Sequence, residues 1–227
     1  MGTARAARAD ELVTAAAAAG VPLAALGGAA VQLLCASARP AGAHHRAIAD
    51  VDVATTSRAR PAVDGLAREL GYAPDEPFNR AHGAERMRYL DADGSHLDVF
   101  VDELRLCHLV RWGTSLKAGE ATLPMRWLLL TKLQIVRAEP KDLGDLAALL
   151  DDRWDDVLAA GGDLDHRLRR DWGLLRTASA NLERLTPGSS RAAELLGRWQ
   201  ALPLTPAARL RGLVGERVRW YDEPEEV

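Results

Sequence analysis

The 227 residues are 48% hydrophobic and 27% charged, with a formal net charge of −3. That is an ordinary globular composition, long enough for one large or two small domains, and it excludes the broad basic surface that coats nucleic acid or anionic membrane. The two cysteines, Cys35 and Cys107, form no CxxC pair and read as buried, reduced thiols in a cytoplasmic protein.

Arg5 and Arg8 before an alanine-rich run imitate a signal peptide, but Asp10 and Glu11 interrupt it and no leader is expected. Asp10 to Ala19 reads as a helix stopped by Gly20 and Pro22. Leu23 to Leu26 is a short strand candidate, and Gly28 to Ser37 a helix. The apolar stretch from Val21 to Ala36 is broken by Pro22, Gly27, Gly28 and Gln32, so no membrane span is expected. After a loop with Pro40 and Gly42, Ile48 to Ala54 reads as a strand, with Asp50 and Asp52 on one face and Val51 and Val53 on the other. Ser57 can cap the next helix, with Pro61 in its early turns and Gly71 at its end. Arg86 to Asp91 and His96 to Val101 flank Asp93-Gly94, a tight-turn signal for a hairpin. From Pro124 onward the pattern is helical: Met125 to Arg137, Pro140 to about Leu150, then several helices to residue 221, one beginning at Thr205-Pro206.

The expected fold is therefore α/β (α+β): a small mixed sheet with flanking helices over residues 1–120, followed by a helical half over residues 121–227.

Carboxylates are depleted in strands and costly to bury, so Asp50 and Asp52 need a reason. Side chains at i and i+2 of a strand share a face, with Cα atoms about 6.5–7 Å apart. Asp98 is a further lone acid in a β-apolar run, Leu97-Asp98-Val99-Phe100. Three such carboxylates on adjacent strands would form a hard oxygen cage suited to Mg2+, with Mn2+ an alternative, and two ions could share it. Gly27 and Gly28 at a helix start would let a phosphate approach the backbone. A Walker motif is absent, since no GK[ST] follows.

Gly-Gly, a helix, D-hydrophobic-D and a later hydrophobic-D-hydrophobic resemble the nucleotidyltransferase fold of the polymerase-beta type. Arg46 stands where related proteins carry an Arg ahead of D-x-D. Leu128 to Leu150, "LLLTKLQIVRAEPKDLGDLAALL", resembles the Lys helix and K-D-x-x-D-L element of AbiE-type toxin nucleotidyltransferases. The likeness covers about residues 23–150. It implies that Asp50, Asp52 and Asp98 hold magnesium, with Asp98 a candidate base. It also implies that Gly27, Gly28, Arg46, Lys132, Lys141, Asp142 and Asp145 bind the nucleoside triphosphate, ATP included. The helical half would thus contribute Lys132 and the K-D-x-x-D element. The chain has only three lysines, and two fall in these motifs. Where family members often carry Ser or Thr, Ala29 and Ala30 follow the glycines.

The implied activity moves a nucleoside monophosphate to an acceptor hydroxyl on RNA such as tRNA, a protein or a small molecule. The AbiE likeness adds a toxin role with an antitoxin partner. Two alternatives stay open: a non-catalytic relative that binds nucleotide or a partner, and a haloacid-dehalogenase-type phosphatase with Asp50 as nucleophile.

Elsewhere, His44 and His45 read as solvated loop residues, and Cys107-His108 lacks the second ligand pair of a zinc site. Arg167, Arg169, Arg170 and Arg176 lie in a segment, 160–227, with eleven arginines and ten acids, and so read as a salt-bridged surface before an RNA-binding one. The tryptophans read as core or interface anchors, and the tail from Tyr221 to Val227 as an exposed end.

Overall fold

The computed structural model describes residues 2–223. Helix α1 (Gly2–Ala18) starts well before Asp10, because alanine carries the helix on both sides of the acids. It buries Ala9, Leu12, Val13 and Ala16, one helical stripe, and leaves Asp10 and Glu11 in solvent. There follow β1 (Leu23–Ala25), α2 (Gly27–Leu34), β2 (Val51–Thr55), α3 (Arg60–Glu69), β3 (Ala73–Pro74), α4 (Glu76–His82), β4 (Arg86–Leu90) and β5 (His96–Val101). A small hairpin, β6 (Glu103–Arg105) and β7 (Leu109–Arg111), closes this half. The helical half comprises α5 (Met125–Leu133), α6 (Pro140–Asp152), α7 (Trp154–Ala159), α8 (Gly161–Leu168), α9 (Trp172–Leu185), α10 (Ser190–Gln200) and α11 (Pro206–Val214).

The fold is the expected mixed α/β arrangement: a five-stranded sheet, flanking helices and a helical C-terminal half. Strand order is β1-β2-β5-β4-β3, with β2 and β5 parallel and the other pairs antiparallel. The register sets Asp52 opposite Asp98 and Asp98 opposite Arg88. The hairpin read from Asp93-Gly94 forms, with Gly94 at φ +82.

Boundaries differ in ways that matter. The strand expected from Ile48 begins at Val51, so Asp50 lies just outside it. Its Oδ1 instead accepts the His96 N–H at the start of β5, at 3.0 Å. Ser57 does not cap α3; Ala59 holds that position, and the Ser57 N–H donates to Asp102 Oδ1 at 3.0 Å. Helix α4 was not expected; Asp75 caps it by accepting the Phe78 N–H at 3.1 Å. Thr205 caps α11 as read.

The two halves share one apolar core, containing Leu12, Leu23, Val53 and Val99 from one side and Leu128, Leu149, Leu174 and Trp199 from the other. The connecting segment is laced to β1: the Ala25 N–H donates to Ala121 O and the Leu123 N–H to Ala25 O. Cys35 and Cys107 are buried free thiols, and Cys107 Sγ accepts the Val136 N–H at 3.4 Å. Among the described residues no helix is long and apolar enough to cross a membrane.

Candidate functional site

At the end of β1 the chain turns through Leu26, whose N–H donates to Asp52 O at 2.9 Å. Gly27 takes φ +64, and a Cβ there would strike the Asp52 carboxylate. A Cβ on Gly28 would strike the Arg46 guanidinium. The glycine pair therefore does two jobs, leaving room for an acid at the first position and for a cation at the second. No side chain caps α2, and Ala29 and Ala30 are buried core residues.

The three strand-region carboxylates have three different surroundings. Asp52 is partly buried, and among the described residues its carboxylate has no hydrogen-bond or ion-pair partner. Burial and then the neighbouring Asp98 push its carboxyl up to about 7, against the opposing pull of Lys132 and Arg86, with Asp50 adding to the rise. Asp98 is 5% exposed and held by two guanidiniums. Arg86 Nε donates to Oδ1 at 3.1 Å and Arg86 Nη2 to Oδ2 at 2.7 Å, while Arg88 Nε donates to Oδ1 at 3.1 Å. Asp50 is engaged through one oxygen by His96.

Behind the glycines lies a second charge network. Arg46 grips Asp145 with two hydrogen bonds, at 2.9 and 2.8 Å. Lys132 Nζ, on α5, sits 2.6 Å from Asp145 Oδ2 and 3.9 Å from Asp142 Oδ1. Burial pulls the Asp145 carboxyl upward, but the Arg46 hydrogen bond and Lys132 overcome it and hold the group below its ordinary range. Asp142 also closes the capping box of α6 with Glu139. Lys141 points elsewhere, pairing with Glu139 at 3.0 Å on the surface. Within K-D-x-x-D, then, the first acid caps, the second anchors two cations, and the lysine is a surface residue.

A cleft of about 800 Å³ opens between the sheet and α5. Gly27, Asp52, Lys132 and Asp142 line it; Gly28, Arg46, Asp50, Asp98, Lys141 and Asp145 do not. Its far wall carries residues that sequence reasoning passed over: Phe78, His82, Arg86 and Phe100. The turn signal did not reveal them: a two-residue turn at Asp93-Gly94 would set Tyr89 opposite Asp98, whereas the Asp91 N–H donates to Ser95 O and the observed register puts Arg88 there. The C-terminal segment also reaches the cleft, through Arg219, Tyr221, Asp222 and Glu223. The Asp222 N–H donates to Cys107 O at 2.9 Å and Trp220 Nε1 to Thr177 Oγ1 at 3.2 Å. Of the tail read as an exposed end, Asp222 and Glu223 are exposed as expected and Tyr221 is partly covered, while residues 224–227 lie outside the described residues.

Asp52 is placed on the cleft as a magnesium ligand would be, Asp50 could reach such an ion only from outside the cleft lining, and Asp98, as placed, is not free to bind one. Asp52 is an acid with no cation paired to it among the described residues, beside a cradle that a Cβ would fill, and Asp50 Oδ2 makes no hydrogen bond to a described residue while Oδ1 accepts the His96 N–H. Both oxygens of Asp98 are already taken by arginine. Among the described residues no group of three or more His, Cys, Asp and Glu side chains is arranged to hold a metal. The other candidates are structural. His44 Nε2 lies 2.8 Å from Asp151 Oδ2, and buried His108 lies against Thr177. Arg167 and Arg169 donate to the carbonyls of Leu109 and Pro203, and Arg176 pairs with Glu216. In comparisons with known proteins, no family model and no curated protein matches the chain.

Proposed function

We propose that the cleft binds a nucleoside triphosphate with magnesium, and that the chain transfers a nucleoside monophosphate from it to an acceptor hydroxyl on an RNA, a protein or a small molecule. One observation carries this reading: the Asp52 carboxylate, without a hydrogen-bond or ion-pair partner among the described residues and raised to about 7, lines a cleft beside the side-chain-free Gly27. A buried acid without a cation is costly, and a divalent ion with a phosphate is the ligand that relieves it.

Asp52 and Asp50 would hold the ion, which when bound supplies charge neutralisation at the phosphate oxygens. Gly27 admits a phosphate to the backbone at the start of α2. Lys132, held by Asp145, presents a fixed positive charge to the cleft. In the transfer, the acceptor oxygen bonds to the α-phosphorus while the bond to the β-phosphate oxygen breaks. Its electron pair leaves with pyrophosphate, and the hydroxyl proton passes to a carboxylate. A cytoplasmic setting, and an antitoxin as partner, belong to this reading as corollaries.

A second reading, nucleotide binding without transfer, is favoured by Asp98. The acid that would take the acceptor's proton has both oxygens engaged by Arg86 and Arg88. The phosphatase alternative fits poorly, because it expects an alternating βα array and β1 runs antiparallel to β2.

Calorimetric titration with each of the four nucleoside triphosphates, with and without magnesium, tests the site in the wild type and in Asp50→Ala/Asp52→Ala. Magnesium-dependent binding that the double variant loses is expected. A folded wild type that binds none of the four overturns the proposal. Transfer of label from an α-phosphate-labelled triphosphate into RNA, protein or small-molecule fractions then separates the two readings.

A further inference from the structure

Arg86 belongs to no motif, yet it lines the cleft and is held more firmly than a cleft arginine needs to be. Its Nε and Nη2 form a two-point contact with Asp98. Its guanidinium carbon lies 5.1 Å from the Phe100 ring centre and 5.6 Å from that of Phe78. A bidentate carboxylate fixes the guanidinium plane, and two aromatic rings confine it further. Arg86 Nη1 makes no hydrogen bond to any described residue, so a donor edge remains unused.

The other cleft arginines differ. Arg105 and Arg219 pair with Glu103, Asp222 and Glu223, acids that share the cleft wall with them. The partner of Arg86 does not line the cleft. The hydrogen-bonded acid thus lies behind Arg86, while Glu85 and Asp52 share the cleft wall, Arg86 opposing the rise of the Asp52 carboxyl without a hydrogen bond to it among the described residues.

We infer that Arg86 is an anion-recognising residue of this cleft, donating its free N–H edge to a polyphosphate, and that Asp98 is its positioning residue rather than a metal ligand. The inference rests on the reading of the cleft as a nucleotide site, and it names which side chain takes the phosphates on the sheet side. Because the guanidinium is immobilised before a ligand arrives, little side-chain freedom is lost on binding. The pairing also gives a buried acid beside Asp52 a use that needs no second ion.

The test is calorimetry on the full chain with inorganic tripolyphosphate in the presence of EDTA, comparing the wild type with Arg86→Gln, Arg86→Lys and Arg126→Gln, an arginine outside the cleft. Wild type and Arg126→Gln should bind equally. Arg86→Gln should weaken binding about tenfold or more, as expected for loss of a charged hydrogen bond. Arg86→Lys, which keeps the charge without the fork, should recover part of it; it also serves if the glutamine variant fails to fold. Equal binding by wild type and either Arg86 variant, or no binding by wild type at millimolar tripolyphosphate, overturns the inference. Binding of Mn2+ alone, read by electron paramagnetic resonance in wild type and Asp52→Asn, reports separately on the metal reading. No Mn2+ binding by the wild type, or equal binding by Asp52→Asn, together with retained Arg86-dependent tripolyphosphate binding would sink the metal site and leave this inference standing.

Discussion

Asp52 and Asp98 face each other across a parallel strand pair, and the protein neutralises only one of them. Asp98 receives three guanidinium hydrogen bonds; Asp52 receives none from the described residues and its carboxyl rises to about 7. Two acids at one level of a sheet repel, and the fold resolves this by giving both arginines to the deeper one. The shallower one is left open to the cleft.

That asymmetry has a pH signature. Asp52 ionises near 7 in the folded chain and near 3.9 when unfolded, so the folded state holds this proton more tightly. Its stabilising contribution is fully present below about pH 4 and is lost as pH rises to about 7. Asp52→Asn escapes the loss. Relative to wild type it should gain on the order of 2–4 kcal/mol between pH 4 and pH 8. Urea unfolding across that range reads the difference; parallel pH curves for the two proteins would show that Asp52 is ordinarily solvated.

Asp98→Asn should do the opposite. It leaves Arg86 and Arg88 facing a neutral amide in a site where Asp98 is 5% exposed. Removing one partner of a buried ion cluster costs about 3–5 kcal/mol. Unfolding at pH 8 measures it, and the two asparagine variants should lie on opposite sides of wild type. A cost below about 1 kcal/mol, the range of exposed pairs, would mean that the arginines find other partners.

How far this was legible in the sequence depends on what kind of information each feature needs. The sheet strands announced themselves through alternating apolar runs such as Val51, Val53 and Leu97, Val99. Asp93-Gly94 announced the hairpin between β4 and β5. The partition of the acids was not visible, because it depends on which cation reaches which carboxylate. Arg46 lies 99 positions from Asp145, the residue it grips, and no local pattern encodes that contact. Lys141 shows the converse. It sits in a motif-like string, but a helix start turns it to Glu139 at the surface while Asp145, one turn on, faces inward. The missed elements, β3, α4 and the β6–β7 hairpin, are short, and short segments carry too few residues for a period to show.

Lys132 links the cleft to the buried network, so its loss should register in both. In Lys132→Met, Asp145 keeps its two hydrogen bonds from Arg46, and stability should fall by only about 1–3 kcal/mol. Asp52 loses the largest of the influences that lower its pKa, so its carboxyl should move further up. Magnesium-dependent nucleotide binding should then weaken most below pH 7, where proton and metal compete for the same acid. Calorimetry at pH 6 and pH 8 checks this; an equal loss at both would place Lys132 on the phosphates alone.

The glycine pair offers the sharpest separation of fold from site. Gly27→Ala forces a Cβ into a φ +64 backbone and against the Asp52 carboxylate, so it should abolish magnesium-dependent nucleotide binding. Gly28→Ala drives a Cβ into the far end of Arg46, a flexible side chain that can retreat only by loosening its grip on Asp145. Its cost should fall at about 1–3 kcal/mol of stability. Gly144→Ala, in α6 with nothing within 4 Å of the added carbon, should instead stabilise the chain by about 0.5–1 kcal/mol through helix propensity. Thermal melts and nucleotide titration of the three variants together decide the matter. If Gly28→Ala were as neutral as an exposed helix position while Gly27→Ala still bound nucleotide, neither glycine would be shaped by the charge it faces, and the division of labour between Asp52 and Arg46 would have to be abandoned.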